Sequence, residues 1–175
     1  TLGAPAVRDN QLLVPEGRYL RILDKRSGVE LDELKEEHGW VLQQPAVHRD
    51  QAFLGFAKPG DKRVYAGIAQ EIEGGVGAFD LEKLERSWAV DLHQLVLEPP
   101  LLCGSVLLVV ERSGLEGTTR ALASRDGRQL WHQPAGETRL LPLGDAVVQA
   151  RLDRAREAGV VEALRQRTGD LVWRH

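Results

Sequence analysis

Cysteine is almost absent from this sequence, and methionine is absent from it. It has one cysteine, Cys103, in 175 residues, which excludes an intramolecular disulfide and leaves the compartment open. Cys103 lies in an apolar run, where a free cysteine packs as a small hydrophobic side chain, so we expect core packing rather than a reactive thiol. Methionine is missing even from position 1, which is Thr1. We therefore expect a processed or engineered product, or a segment of a longer protein.

Long apolar runs and an excess of one charge are missing too. The longest apolar run, LLCGSVLLVV, is interrupted by glycine and serine and is far shorter than the ~20 residues that span a bilayer. It is typical of a buried strand, and we predict no transmembrane segment. The formal net charge is -3. Because binding to a phosphate backbone needs a basic surface, we predict no nucleic-acid partner.

Recognisable constellations for chemistry are lacking. The five histidines share no HxH or HxxxH spacing, and no G-x-S-x-G motif occurs. The glycine-rich segment EGGVG at 73–77 lacks the lysine and the helix of a P-loop, and we interpret it as a hairpin turn before a strand. We assign no catalytic, cofactor-binding or metal-ligating residue, expect no cofactor, and predict that the protein is not an enzyme.

What the sequence does contain is one phrase repeated four times. Two copies, ALASRDGRQLW and ALRQRTGDLVW, have an apolar anchor, a turn and a tryptophan nine positions after the anchor. A weaker copy keeps this spacing between Phe79 and Trp88, and the first copy has Asp32 in place of tryptophan. Successive anchors are 56, 43 and 42 residues apart, which indicates an internal repeat. The anchors are Leu23, Phe79, Leu122 and Leu164.

Each copy has its turn at the same position. Five residues after the anchor stands a glycine in three copies and Leu84 in the fourth, which predicts a turn with positive φ. The tryptophan then falls on the next strand, where its ring can cover the gap to a neighbouring repeat and its N–H needs a partner. We interpret these side chains as structural rather than ligand-binding. The structural repeat residues so predicted are Gly28, Gly127, Gly169, Trp88, Trp131 and Trp173.

Two β-like runs precede every copy, so one unit is expected to be a four-stranded antiparallel meander. A single meander cannot bury both of its faces, and meanders stacked face to face around an axis form a β-propeller. We therefore predict an all-β protein, a β-propeller of about four four-stranded blades in a single domain over residues 1–175. The expected blades are 1–40, 41–92, 93–136 and 137–175.

Two segments also fit a helix. Residues 152–167 and 29–39 are rich in good helix formers, and propensity alone favours helix in both. For 152–167 we favour strand, because the segment aligns with the preceding repeat almost without gaps. For 29–39 a short helix after the outer strand stays open.

The unit A-L-x-x-x-T/D-G-x-x-x-W, present at Ala121–Trp131 and Ala163–Trp173, resembles the repeat of quinoprotein-like (PQQ-like) propellers. That family includes the PQQ-dependent alcohol dehydrogenases and the BamB-like outer-membrane assembly factors. The enzymes imply eight blades, PQQ, calcium, a catalytic aspartate and usually a vicinal cysteine pair, none of which can be carried over to a residue here. The resemblance to the non-enzymatic BamB-like branch implies a protein-binding scaffold in the periplasm or another extracytoplasmic compartment.

Four repeats are fewer than the seven or eight that the resemblance implies for a closed ring. We expect a partial propeller or half of an eight-bladed ring, whose apolar end faces need a partner. The partner would be a second copy, missing blades of a longer chain or complex, or another protein. Closure of the four blades on themselves stays an alternative.

A long insertion interrupts the second repeat at 57–75. Loops on a rigid repeat scaffold often carry binding, and arginine and tyrosine are favoured at interfaces. We predict Lys62, Arg63 and Tyr65 as protein-binding residues, with an elongated hairpin as the alternative. The leading functional hypothesis is a non-enzymatic scaffold for protein–protein interaction or assembly. The alternatives are a fragment of a PQQ-dependent dehydrogenase and a propeller that binds a small molecule or carbohydrate.

Overall fold

The computed structural model describes residues 3–37, 39–41, 43–58, 73–96, 98–113, 116–135, 139–153 and 158–175. The chain forms two compact units, Thr1–Pro100 and Leu101–His175. All the regular structure in the described residues is antiparallel strand, which confirms the predicted all-β class. No helix with the length and apolar character needed to cross a membrane occurs in this part of the chain.

The first unit contains two meanders of four strands, each strand pairing with the next along the chain. One short strand also belongs to the sheet of the second meander and pairs with the end of its second strand, next to its first strand. The first meander is β1 (Ala6–Arg8), β2 (Gln11–Glu16), β3 (Tyr19–Asp24) and β4 (Glu30–Lys35); the second is β6 (Ala46–His48), β7 (Gln51–Ala57), β8 (Gly74–Asp80) and β9 (Glu85–Leu92), with β5 (Trp40–Val41) as its short strand. A further short strand, β10 (Leu95–Val96), follows β9 in the chain.

The second unit contains the third and fourth meanders, built in the same order. Leu108, Ala121 and Trp131 of the third meander pack against Val147 and Leu164 of the fourth, and this cluster is the core of the unit. The third meander is β11 (Leu101–Cys103), β12 (Val106–Ser113), β13 (Glu116–Ala123) and β14 (Gln129–Ala135); the fourth is β15 (Leu141–Leu143), β16 (Ala146–Asp153), β17 (Ala158–Arg165) and β18 (Leu171–Arg174).

The turn between the third and fourth strands has the same geometry in every meander. The residue five positions after the anchor has φ between 57° and 75°, and this residue is Leu84 in the second meander. Asp24 supports the first turn, because its carboxylate accepts hydrogen bonds from the backbone and hydroxyl of Ser27, both at 2.8 Å. The backbone hydrogen bond from Ser27 is the main reason that the pKa of Asp24 is lowered. These turn positions are Gly28, Leu84, Gly127 and Gly169.

Every meander has a β-bulge at the same point of the repeat. The register of the third and fourth strands shifts directly before the anchor residue, for example between Ala121 and Leu122. One residue of the outer strand is thereby skipped, and the tryptophan position pairs with the residue before the anchor. The pairs are Ile22 with Asp32, Ala78 with Trp88, Ala121 with Trp131 and Ala163 with Trp173.

The structure decides the segments that fitted two interpretations. Ala158–Arg165 is a strand, so the repeat alignment predicted it correctly against helix propensity. Glu30–Lys35 is also a strand, and the short helix considered for this segment is wrong over these residues.

The interpretation of EGGVG as a turn is wrong too, since Gly74–Asp80 is a strand. Glycine is needed there because a Cβ on Gly75 would lie 2.2 Å from the ring of Phe56, its partner on the neighbouring strand.

Candidate functional site

Trp131 and Gly169 form the joint between the third and fourth meanders. A Cβ built on Gly169 would lie 2.8 Å from Cδ2 of Trp131, so the indole ring rests directly on the glycine turn. The indole Nε1 donates a 2.7 Å hydrogen bond to the backbone carbonyl of Gln166 in the same turn. Trp131 is thereby only 8% exposed. A tryptophan of one repeat and a glycine turn of the next thus fit together as a pair.

The row of side chains around Trp131 is covered in the same way. Leu101, Leu108, Ala121 and Trp131 are successive cross-strand neighbours over the third meander. Leu108 and Ala121 are fully buried, and the row packs against Val147 and Leu164 of the fourth meander. We call the tryptophan-bearing row of a meander its W-face row.

The W-face row of the fourth meander is uncovered at its two ends. Leu141, Val148, Ala163 and Trp173 are the equivalent cross-strand neighbours. Leu141 is 62% and Trp173 41% exposed, and Leu143, two residues after Leu141 on β15, is also exposed. Val148 is partly buried and Ala163 fully buried, so the exposed apolar surface of the row lies at its two ends. Exposed apolar side chains aligned across one sheet mark an interaction surface, so this row is the candidate functional site.

The first meander has an uncovered row on its opposite face. Val7, Leu12 and Leu23 are cross-strand neighbours there, at the positions of Pro142, Val147 and Leu164 in the fourth meander. Leu12 and Leu23 are only partly buried, whereas Val147 and Leu164 are fully buried. Val7 is 58% exposed. The turn of this meander is open as well, since a Cβ on Gly28 would meet nothing within 4 Å.

The joint between the first and second meanders is built differently. Asp32 occupies the tryptophan position and is exposed, and the larger Ile22 stands opposite it where the other meanders have alanine. The next turn carries Leu84 instead of glycine, and Leu84 packs against the core cluster that contains Ile22. Side-chain bulk has therefore moved from the tryptophan position to the turn position.

The remaining predicted repeat residues stand at their predicted positions in the strands and turns. Trp88 is on β9, partly buried, with its ring centroid 6.1 Å from that of Phe53. Together with Arg86 and Asp91 it lines a shallow, open depression along this strand. Gly127 adopts a φ of 71° in the turn of the third meander.

A buried polar network connects the third and fourth meanders beneath these surfaces. Thr119 donates to Gln149 at 2.8 Å, and Gln149 donates to Glu162 at 2.8 Å. Glu162 also accepts from Arg151 at 3.1 Å and from Arg174 at 3.0 Å. Burial raises the pKa of Glu162, but the hydrogen bonds from Gln149 and Arg151 and the positive charge of Arg151 outweigh it, so the pKa is lowered overall. The network is a structural support for the outer strand that carries Trp173.

The same diagonal ion pair recurs in three meanders with one inversion. Arg21 pairs with Glu16 in the first meander, and Arg120 pairs with Glu111 at 2.5 Å in the third. In the fourth the signs are exchanged, and Arg151 pairs with Glu162 at the equivalent positions. These pairs were not predicted from the sequence, because the separation of the two partners differs between repeats: 5 residues for Glu16 and Arg21, 9 for Glu111 and Arg120, and 11 for Arg151 and Glu162. The one constant signal is a charged residue two positions before the anchor, as in Arg21, Arg120 and Glu162.

The predicted protein-binding residues Lys62, Arg63 and Tyr65 lie outside the residues that the structure describes. The ends of the insertion are described and continue the hairpin. The backbone N–H of Lys58 donates to the carbonyl of Glu73 at 3.0 Å, and the Lys58 ammonium contacts Asp91 at 2.9 Å. The hydrogen bond to Asp91 is the main reason that the pKa of Lys58 is raised.

Cys103 packs against the core of the second unit and is partly buried, which raises the pKa of its thiol. This agrees with the prediction of core packing. In the described ranges, no group of three or more histidine, cysteine, aspartate or glutamate side chains is placed to hold a metal ion.

Known proteins share this architecture. The family model described as outer membrane protein assembly factor BamB matches residues 53–175. No curated protein matches the chain. BamB from Moraxella catarrhalis superposes with a TM-score of 0.71 at 18% identity, over 99% of this chain and 47% of that one. The quinohemoprotein alcohol dehydrogenase ADHIIG from Pseudomonas putida HK5 gives 0.67 at 14% identity, over 98% and 34%. The computationally designed Ika4 protein gives 0.68 at 13% identity, over 94% and 91%.

The chain thus spans less than half the length of these two natural proteins and most of the designed one. Likeness at such low identity shows the fold, and it confirms the predicted β-propeller class with four-stranded blades. The family model covers most of the chain, from Phe53 to His175. The chain therefore belongs to the BamB family of PQQ-like β-propeller proteins.

Proposed function

We propose that this chain is a non-enzymatic propeller scaffold that binds protein through the W-face row of its last meander. The observation that carries the proposal is the contrast between two equivalent rows. Trp131 is 8% exposed beneath a neighbouring meander, whereas Trp173 is 41% exposed. Large apolar side chains that are buried at one position and uncovered at its equivalent are expected to be covered by another protein surface.

The geometry of the row favours a flat protein surface over a small ligand. Small molecules bind in concave pockets that enclose most of their surface. Leu141, Val148 and Trp173 instead form a line across the strands of one sheet. Tryptophan at such a position is a typical anchor of protein–protein interfaces.

A photo-crosslinking residue in place of Leu141, in the cells that produce this protein, tests the proposal. We expect covalent adducts with protein from position 141. The control places the same residue at Asp126, an exposed turn position of the third meander. Adducts at neither position, or equal adducts at both, would show that the row is not a binding surface.

A segment of a PQQ-dependent dehydrogenase is the second candidate, favoured by the likeness in fold to the quinohemoprotein alcohol dehydrogenase. Titration of the chain with PQQ and calcium, followed by the absorbance of PQQ, distinguishes the two. The scaffold predicts no change in the spectrum, and saturable binding would favour the enzyme segment.

The family relationship also supports an extracytoplasmic location. Fractionation of the producing cells into periplasm, membrane and cytoplasm tests this proposal. We expect the protein outside the cytoplasm, and recovery only with cytoplasmic markers would contradict it.

A further inference from the structure

The chain carries both halves of one joint, each uncovered, at different places in the sequence. One half is the W-face row with Trp173, and its equivalent in the third meander is covered by a glycine turn. The other half is the row of Val7, Leu12 and Leu23 together with the open turn at Gly28. One chain therefore supplies both of the surfaces that form such a joint.

The covered joint shows what fits the uncovered row. Trp131 contacts the turn at Gly169, and its N–H reaches the carbonyl of Gln166, two residues after the anchor Leu164. A surface that covers Trp173 in this manner needs a glycine with positive φ and an accessible carbonyl three residues before it. It also needs apolar side chains at the positions of Val147 and Leu164.

The first meander meets each of these requirements. Gly28 has a φ of 70°, and Gly169 has a φ of 75°. In both turns the glycine N–H donates to the carbonyl four residues earlier, Asp24 in one and Arg165 in the other. Lys25 stands where Gln166 stands, two residues after the anchor. Leu12 and Leu23 supply the apolar positions and are not fully buried.

We propose that the first meander of a second copy of this chain covers the W-face row of the last meander, with Trp173 of one copy on the Gly28 turn of its partner. This inference rests on the proposed role of the row as a protein-binding surface and names its partner. Since each copy carries one row and one turn, every contact leaves a further row and turn to be satisfied by the same or another copy.

Two substitutions separate the halves of the joint. Trp173→Ala removes the ring from an exposed site. Gly28→Asn introduces a residue that tolerates positive φ, so the turn can keep its backbone conformation. The new side chain lies where the indole ring would pack. Leu84 shows that this turn accepts a side chain in a folded meander. Gly17→Asn is the matched control, because Gly17 has a φ of 62° and a Cβ there also meets nothing within 4 Å. Val172→Ala is the control for the outer strand, since Val172 is exposed beside Trp173.

Light scattering after gel filtration gives the mass of each variant, and circular dichroism checks that each is folded. We expect wild type and both controls to self-associate, and Trp173→Ala and Gly28→Asn each to have the mass of one chain. A mixture of these two variants should form a one-to-one dimer. Only one joint is intact in the mixture, that of Trp173 from the Gly28→Asn chain on Gly28 from the Trp173→Ala chain.

A monomeric wild type would overturn the proposal, as would self-association that persists in both variants or a mixture that stays monomeric. These outcomes are distinct from failure of the proposed function. Crosslinks from position 141 to other proteins, with a monomeric wild type, would leave the scaffold in place and remove only the second copy as its partner.

Discussion

Gly169 lies where the indole of Trp131 packs, and a Cβ at this glycine would be 2.8 Å from Cδ2 of the ring. The glycine therefore meets two requirements at once, since its φ of 75° also lies in the left-handed region.

Gly169→Ala should destabilise the second unit by about 2–4 kcal/mol, through backbone strain and overlap with Trp131. Gly144→Ala is the control, because Gly144 has a φ of 60° and an open environment. It should cost about 1–2 kcal/mol from strain alone. Urea denaturation followed by circular dichroism measures both, and equal costs would show that the contact with Trp131 adds nothing.

Exchanging the charges of Glu111 and Arg120 should be tolerated, because the fourth meander holds the same diagonal pair with the signs reversed. Glu111→Arg or Arg120→Glu alone should cost about 3–5 kcal/mol, since each leaves two like charges at a largely buried site. The double variant should regain most of this loss in the same denaturation measurement. No recovery would mean that the surroundings of Glu111, rather than the pairing, fix its sign.

The stabilising contribution of Glu162 should be lost in acid. Its folded pKa is below its ordinary value of 4.5, so its contribution to stability is complete above that value and is lost as the pH falls through the folded pKa. The melting temperature of Glu162→Gln should therefore lie below that of wild type at about pH 7, with the difference shrinking towards about pH 3. Glu82→Gln, at an exposed turn, should differ from wild type by the same small amount throughout. Parallel curves for Glu162→Gln and wild type would contradict the role of the network.

Leu84 should respond unusually to truncation. Leu84→Ala removes packing against the core of the first unit and keeps the strain of a φ of 57°. Leu84→Gly removes one carbon more but relieves about 1–2 kcal/mol of strain, against about 0.5–1 kcal/mol of added entropy in the unfolded chain. The glycine variant should thus be no less stable than the alanine variant in thermal unfolding. A clearly less stable glycine variant would show that the backbone at this turn is not strained.

The fold was predictable from the sequence because the anchor, the glycine and the tryptophan recur at fixed spacing. That spacing placed 158–165 in a strand although its composition favours helix. It failed at EGGVG, where glycine usually signals a turn, because the need for glycine came from the ring of Phe56 on the next strand. Contacts between distant segments of this kind have no local signature.

The candidate site was predictable only in part. Trp173 was predicted as a repeat residue, and the expectation of apolar end faces agrees with the exposure of Leu141 and Trp173. The buried network around Glu162 and the exchange of bulk between Asp32 and Leu84 were not predicted. Both depend on which residues of one repeat face which residues of the next. Aligning the repeats with one another by their anchors shows equivalent positions but not these contacts.

The unequal joints also fix the order of the repeats. The side chain of Leu84 occupies the space over its own turn, so it would exclude the tryptophan ring of any other meander from that position. Asp32 in turn gives a glycine turn no ring to hold. The second meander therefore packs correctly only when it follows the first. A gene that reorders these repeats should encode a chain in which adjacent meanders no longer pack together.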